Sequence, residues 1–298
     1  NSKSFIYDGT MIGAIAPVGT SVVIGSFLFG FAMQLGGGCG SGTLFTAGSG
    51  NLKMVITLIF FIIGSLLGSY HFEFWTNLPS MGGFSLLNSF SKIQTILIQL
   101  SLLTLIYIFI SRLDFNRNNK IMHSDIVSNS SHNFMRGPWP LLWGAISLVF
   151  FSFLMLQAAG HPWSVTFAFG LWGAKIASAI GIDVASWFYW QLEYPSTALE
   201  NSVLADPTTV SNIGIILGAL IGSALSGKIS NFSSVNKKLI FAAVIGGLFM
   251  GYGARLAFGC NIGALFGGIA SGSLHGWVWF LFAFLGSVVG VRFRKYFY

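Results

Sequence analysis

The chain carries two cysteines, and their settings read alike: GGGCGSGTLF over 36–45 and FGCNIGALF over 258–266. A thiol is a weak, soft donor that holds hard oxyanions poorly. It suits a partner that offers a sulfur end, or thiol exchange. Glycine stands one before and three after each cysteine: Gly38 and Gly42 around Cys39, Gly259 and Gly263 around Cys260. With Gly40 beside Cys39, these residues let the backbone turn sharply and come close to a ligand. Asn261, next to Cys260, can donate to an oxyanion. Its local alternative is a turn-forming asparagine. One such motif alone is usually a helix-packing face, and one buried cysteine an inert small hydrophobe. Two at matched places, with no third cysteine, point to function. A disulfide between them is not expected, because both loops would have to meet.

The elements that position these residues follow from composition. Of 298 residues, 54% are hydrophobic and 8% charged, with 30 Phe and 9 Trp against 8 acidic side chains. A soluble domain carries about 25% charged residues. The chain therefore reads as an all-α, polytopic integral membrane protein whose solvent is the lipid bilayer. The net charge of +7 lies in short clusters between apolar runs, which set topology, so no nucleic-acid partner is implied. No metal spacing, P-loop, dinucleotide fingerprint or nucleophilic triad occurs, and no cofactor is expected. The reading is not of an enzyme.

Apolar runs long enough to span lie at 15–35, 54–71, 93–111, 138–157, 208–226, 238–257 and 274–292. Positive charge gathers at Arg112, Arg117, Lys120 and Arg136, at Lys228, Lys237 and Lys238, and at Arg292, Arg294 and Lys295. All three clusters are expected on the cytoplasmic side, with Lys53 and the C-terminus. That parity holds if the stretch 162–180 dips into the membrane without crossing. Glu193, Glu200 and Asp206 then fall in an outer loop. His161 and His275, beside Trp163 and Trp277, read as anchors at the membrane interface.

Aligning 30–45 with 251–266 makes seven of sixteen positions identical, at an offset of 221 residues. Counted through the spans, the Cys39 loop enters from the cytoplasm and the Cys260 loop from outside. The expected architecture is thus inverted pseudo-repeats with re-entrant cysteine-bearing elements. Residues 1–111 form the first half, 112–137 a cytoplasmic linker and 138–298 the second half. Non-helical backbone at membrane depth must be buried in protein or line a polar cavity. Short helices are expected to restart over 43–47 and 264–270, their N-termini turned toward an anion. Lys175 and Arg255 are the charges set at membrane depth, and both suit an anion. The alternative is that each snorkels to the interface.

The stretches FGFAMQLGGGCGSGTLF, HPWSVTFAFGLWGAKI and GYGARLAFGCNIGALFGGIASGSLHGW, in this order, resemble the YeeE/YedE family of bacterial membrane proteins, the thiosulfate-uptake transporters. The resemblance spans most of the chain. It implies a multi-pass protein of the bacterial inner membrane that imports thiosulfate past thiols on a narrow central path, here Cys39 and Cys260. The family carries a further cysteine near its N-terminus, absent here, so an N-terminal portion is expected to be missing from this sequence. Some relatives handle other sulfur or selenium compounds beside a small soluble sulfur-carrier protein.

Two alternatives stay open. A membrane sulfurtransferase would pass sulfane sulfur as a cysteine persulfide, which needs a thiolate near a cation such as Arg255. A channel for a small neutral solute would leave the cysteines incidental.

Overall fold

The computed structural model of the chain describes residues 9, 11–118, 140–227 and 236–298, and of 117 and 118 the backbone alone. The side chain of Arg117, together with Lys120, Arg136 and Lys228, therefore lies outside the described residues. So does most of the expected linker 112–137. The described chain is mostly helical, with one small two-stranded sheet in which β1 (Pro17–Gly19) pairs antiparallel with β2 (Ser80–Gly83). Among the described residues, seven helices are long and apolar enough to cross a membrane. The protein is a polytopic helical membrane protein.

The chain forms two compact units. One contains α5 (Leu86–Ser89), α6 (Lys92–Asn118) and α7 (Leu141–Ala159). In α6 and α7 nearly every apolar side chain is exposed, which suits a lipid environment rather than water.

The other unit holds both cysteines. Its elements are α1 (Thr20–Gly36), α2 (Gly40–Gly48), α3 (Leu52–Tyr70), α4 (Phe72–Thr76), α8 (Thr166–Ala179), α9 (Glu193–Glu200) and α10 (Pro207–Leu225). They are followed by α11 (Lys237–Leu256), a six-residue π-helix (Asn261–Phe266), α12 (Gly267–Ala270) and α13 (Leu274–Arg294). The helix in the 162–180 stretch, α8, has 14 residues and so rises about 21 Å, short of the ~30 Å hydrocarbon core. The helices after the cysteines start earlier than expected, directly at Gly40 and Asn261, because each cysteine sits at the N-cap position.

The core is helix against helix through glycine. α1 packs on α11 and α13, and α11 packs on α3. A methyl group at Gly30 would overlap the Ala283 carbonyl, and one at Gly251 the Phe61 carbonyl. One at Gly64 would overlap the Leu248 carbonyl, and one at Gly286 the Phe27 carbonyl. These contacts map onto each other when α1 is exchanged for α11 at the offset of 221 and α3 for α13 at an offset of 222. Between α1 and α11 the same holds. Gly25 abuts Leu256, Ala257 and the Gly253 carbonyl; Gly246 abuts Gly36 and the Ala32 carbonyl. Early residues of each helix thus meet late residues of the other, so the two helices run antiparallel. Without a hydrophobic drive between helices in lipid, such close backbone approach supplies the packing energy.

Charge is divided between the two ends of this unit. Phe72 packs on Tyr189 and on Phe258, which brings α4, the 181–206 segment and the end of α11 together. That end carries Glu73, Asp183, Glu193, Glu200 and Asp206. At the other end Phe31 meets Phe293, and Phe241 stacks on Phe297. This end gathers Lys53, Lys237, Lys238, Arg292, Arg294 and Lys295.

Candidate functional site

Both cysteines interrupt a helix in the same way. α1 ends at Gly37, whose φ of 92° is left-handed, so that its N–H can return to the Met33 carbonyl at 3.0 Å. Cys39 then caps α2, its Sγ accepting from the Gly42 N–H at 3.4 Å and lying 3.5 Å from Ser41 Oγ. α11 ends through Phe258 (φ 57°) and Gly259 (φ 150°), and Cys260 opens the π-helix, its carbonyl accepting from Ala264 at 2.9 Å. A left-handed phenylalanine is strained, at a cost of about 1–2 kcal/mol. Phe258 also borders a cavity of about 40 Å³ lined by Ser21, Trp75, Thr76 and Ser80 among others.

The two loops meet. A methyl group at Gly40 would stand 3.3 Å from Cys260 Sγ and 3.5 Å from Thr166 Cγ2. Cys260 is fully buried, Cys39 is half-buried, and both thiols are free. Gly263 faces Ser164, where a methyl group would lie 3.5 Å from Oγ. The segment that carries Ser164 and Thr166 is tied down by Asn212 of α10, whose Nδ2 donates to the Val165 carbonyl at 2.9 Å. Asn212 Oδ1 and Asn261 Oδ1 are buried without a hydrogen-bond partner. Gly38 lies against Met54. Among the described residues no group of His, Cys, Asp or Glu is arranged to hold a metal ion.

The two cations expected at membrane depth have different surroundings. Arg255 is buried; Nη1 donates to the Tyr189 hydroxyl, Nη2 to Ser65 Oγ at 3.0 Å, and Nε has no partner. Its guanidinium also sits over the Tyr189 ring, 4.4 Å from the centroid. Burial pushes the Tyr189 phenol up, so it stays protonated and supplies no compensating charge. Lys175 donates to the carbonyls of Leu199 and, at 2.7 Å, Asn201, where α9 ends. Nine residues along α8 separate it from Thr166, about 13 Å. His275 is not an interface anchor: it is buried against Gly268, with Nδ1 2.8 Å from Ser273 Oγ.

Sequence reasoning missed Ser164, Thr166, Asn212 and Phe258. An asparagine within an apolar run was the one legible sign of Asn212. Nothing local marked Thr166, which reaches Gly40 only through the fold.

The family model described as sulphur transport matches residues 7–289. The chain belongs to the sulphur transport family. Within it, the chain is 32% identical to the probable transporter YedE of Escherichia coli (strain K12) over 134 residues, 45% of this chain and 32% of that one. It is 36% identical to the thiosulfate transporter TsuA of Spirochaeta thermophila over 85 residues, covering 28% and 26%. With the TsuA of Escherichia coli (strain K12) the identity is 23%, over 92% of this chain and 74% of that one. The chain thus spans about a third of the YedE relative it matches.

Proposed function

We propose that this family member is a transporter that takes up thiosulfate or a closely related sulfur anion across the bacterial inner membrane. The cargo passes from Cys260 to Cys39. The observation that carries the reading is the meeting of the two loops, with Gly40, next to Cys39, against the Cys260 thiol. The family and the TsuA relatives support a sulfur-containing anion. Each thiol donates weakly to the terminal sulfur, and weak stations let an ion move on. Asn261 and the N–H groups of the first turn of α2 take the oxyanion end.

The antiparallel packing of equivalent helices α1 and α11 supports inverted halves. A two-fold that exchanges antiparallel spans lies in the membrane plane. Charge division supports the orientation: the basic end, with Cys39, faces the cytoplasm. A small soluble sulfur-carrier protein would receive the cargo there. A persulfide relay is the less favoured reading, because both terminal nitrogens of Arg255 are taken by Ser65 and Tyr189 rather than by a thiolate.

The test is uptake of radiolabelled thiosulfate by cells lacking their own systems. Uptake should be lost in both the Cys39→Ala and Cys260→Ala variants. Uptake indifferent to both changes would return the cysteines to packing residues.

A further inference from the structure

The break in α1 is roofed by a cluster that the cysteine path does not use. Lys53 Nζ lies 3.4 Å from the Leu35 carbonyl, and the Tyr298 hydroxyl donates to the same oxygen at 3.2 Å. A methyl group at Gly37 would stand 2.8 Å from Lys53 Nζ and 2.9 Å from Tyr298 Oη. Lys53 and Arg294 both sit over the Tyr298 ring, 4.2 and 4.7 Å from its centroid. Those two distances bound the separation of the charges at about 9 Å. Among the described residues no carboxylate pairs with either.

Three positive potentials therefore converge without a side-chain counter-charge among the described residues. Lys53 stands in the first turn of α3, which has no acidic residue there, and the helix dipole adds to its charge. One tyrosine ring offsets a cation by about 0.5–2 kcal/mol and does not neutralise two. Like charges this close, with the lysine half-buried, raise each other's energy unless an anion joins them. The side-chain carboxylates of this unit all lie at the far end.

We infer that Lys53, Arg294 and the Tyr298 hydroxyl form an anion station on the basic side of Cys39. It takes a small sulfur oxyanion leaving the thiol, with Tyr298 as the side chain that must swing off Leu35 to let it pass. The inference rests on the transport reading for the identity of the anion, but its electrostatic part does not.

The experiment compares two thiol reagents of similar size and opposite charge on the full chain in membranes opened to the basic side. They are sulfonatoethyl and trimethylammonioethyl methanethiosulfonate, with modification of Cys39 read by peptide mass. The anionic reagent should react faster. The preference should fall about tenfold in Lys53→Gln/Arg294→Gln, the scale on which a charged cleft concentrates an ion. Charge-conserving Lys53→Arg/Arg294→Lys should keep it, which separates lost charge from lost folding. Tyr298→Ala should speed both reagents. A preference unchanged in the double Gln variant overturns the station, even if uptake depends on Cys39. A preference that follows the two charges in a chain that moves no thiosulfate upholds the station and removes the transport reading instead.

Discussion

Cys39 and Cys260 each follow a left-handed break and each open a new helix, yet their sulfurs live differently. Cys39 is half-buried, tied to Gly42 N–H and Ser41 Oγ, and followed by a regular α-helix. Cys260 is fully buried and followed by a π-helix, after a strained phenylalanine. The residue five before the cysteine is Gln34 in one copy and Arg255 in the other. Gln34 lies against Gly290 of α13 while Arg255 lies against Gly68 of α3, at matched places. Only Arg255 has a further glycine, Gly170, that clears room for its guanidinium. The backbone plan is shared because close helix packing fixes it. The side chains diverge with the burial: Cys260 is buried and Cys39 half-buried.

The largest expected difference is in reactivity. A neutral alkylating reagent should modify Cys39 at least about tenfold faster than Cys260 in the folded chain, since reaction follows access to the thiolate. Equal rates would mean that the burial of Cys260 is breached in the membrane and that the two settings are dynamically alike.

Exchanging residues between copies comes next. Gly40 corresponds to Asn261, and a methyl group at Gly40 would stand 3.3 Å from the other cysteine's Sγ. Gly40→Val should cut thiosulfate uptake by about tenfold or more, because overfilling a packed site costs on the order of 1–3 kcal/mol. Asn261→Gly, which restores the first copy's residue, should cost only a few-fold, the worth of one hydrogen bond. The reverse order of effects would put the constriction elsewhere than between the thiols.

Arg255 offers a smaller, structural effect. Gly170→Ala would drive a methyl group into Nη2 and should lower stability by about 1–3 kcal/mol. In an Arg255→Gln background, where the counterpart residue replaces the arginine, that penalty should shrink by about 1 kcal/mol or more, as contacting residues couple. Thermal unfolding of the four proteins in detergent measures the cycle. Additive changes would show that the guanidinium does not occupy the space beside Gly170.

How much of this was legible beforehand follows from what is local. The spans were readable because hydrophobic length is a local property, and the repeat because Gly30, Leu35, Gly38, Cys39, Gly42, Leu44 and Phe45 recur 221 residues on. The glycine contacts on α3 and α13 were not, although GSLLG over 64–68 recurs as GSVVG over 286–290, because the carbonyls that each glycine approaches lie on other helices. Thr166 comes to Gly40, and Asn212 to the segment that carries Thr166, from helices far along the chain. The meeting of the two loops, set aside when a disulfide was judged out of reach, depends on α1 and α11 packing antiparallel, which no single stretch encodes. His275 was misjudged because a neighbouring tryptophan marks an interface only when the helix start is exposed. Here Gly268 makes a buried slot for the ring.

Lys175 gives the finest test of reading charge from sequence. A lysine in an apolar helix suggests an anion contact, but its ammonium is spent on the Leu199 and Asn201 carbonyls, where a cation also favours the negative end of α9. Lys175→Gln should therefore lower stability by about 0.3–1 kcal/mol. Thiosulfate uptake should stay within about twofold of the parent, both in maximal rate and in half-saturating concentration. The comparison with Arg255 makes the expectation sharp. Arg255 has an unpartnered Nε and no spare carbonyl to serve, whereas Lys175 closes a helix end. A half-saturating concentration raised tenfold in Lys175→Gln, with stability unchanged, would place the lysine on the anion's route and reverse that assignment.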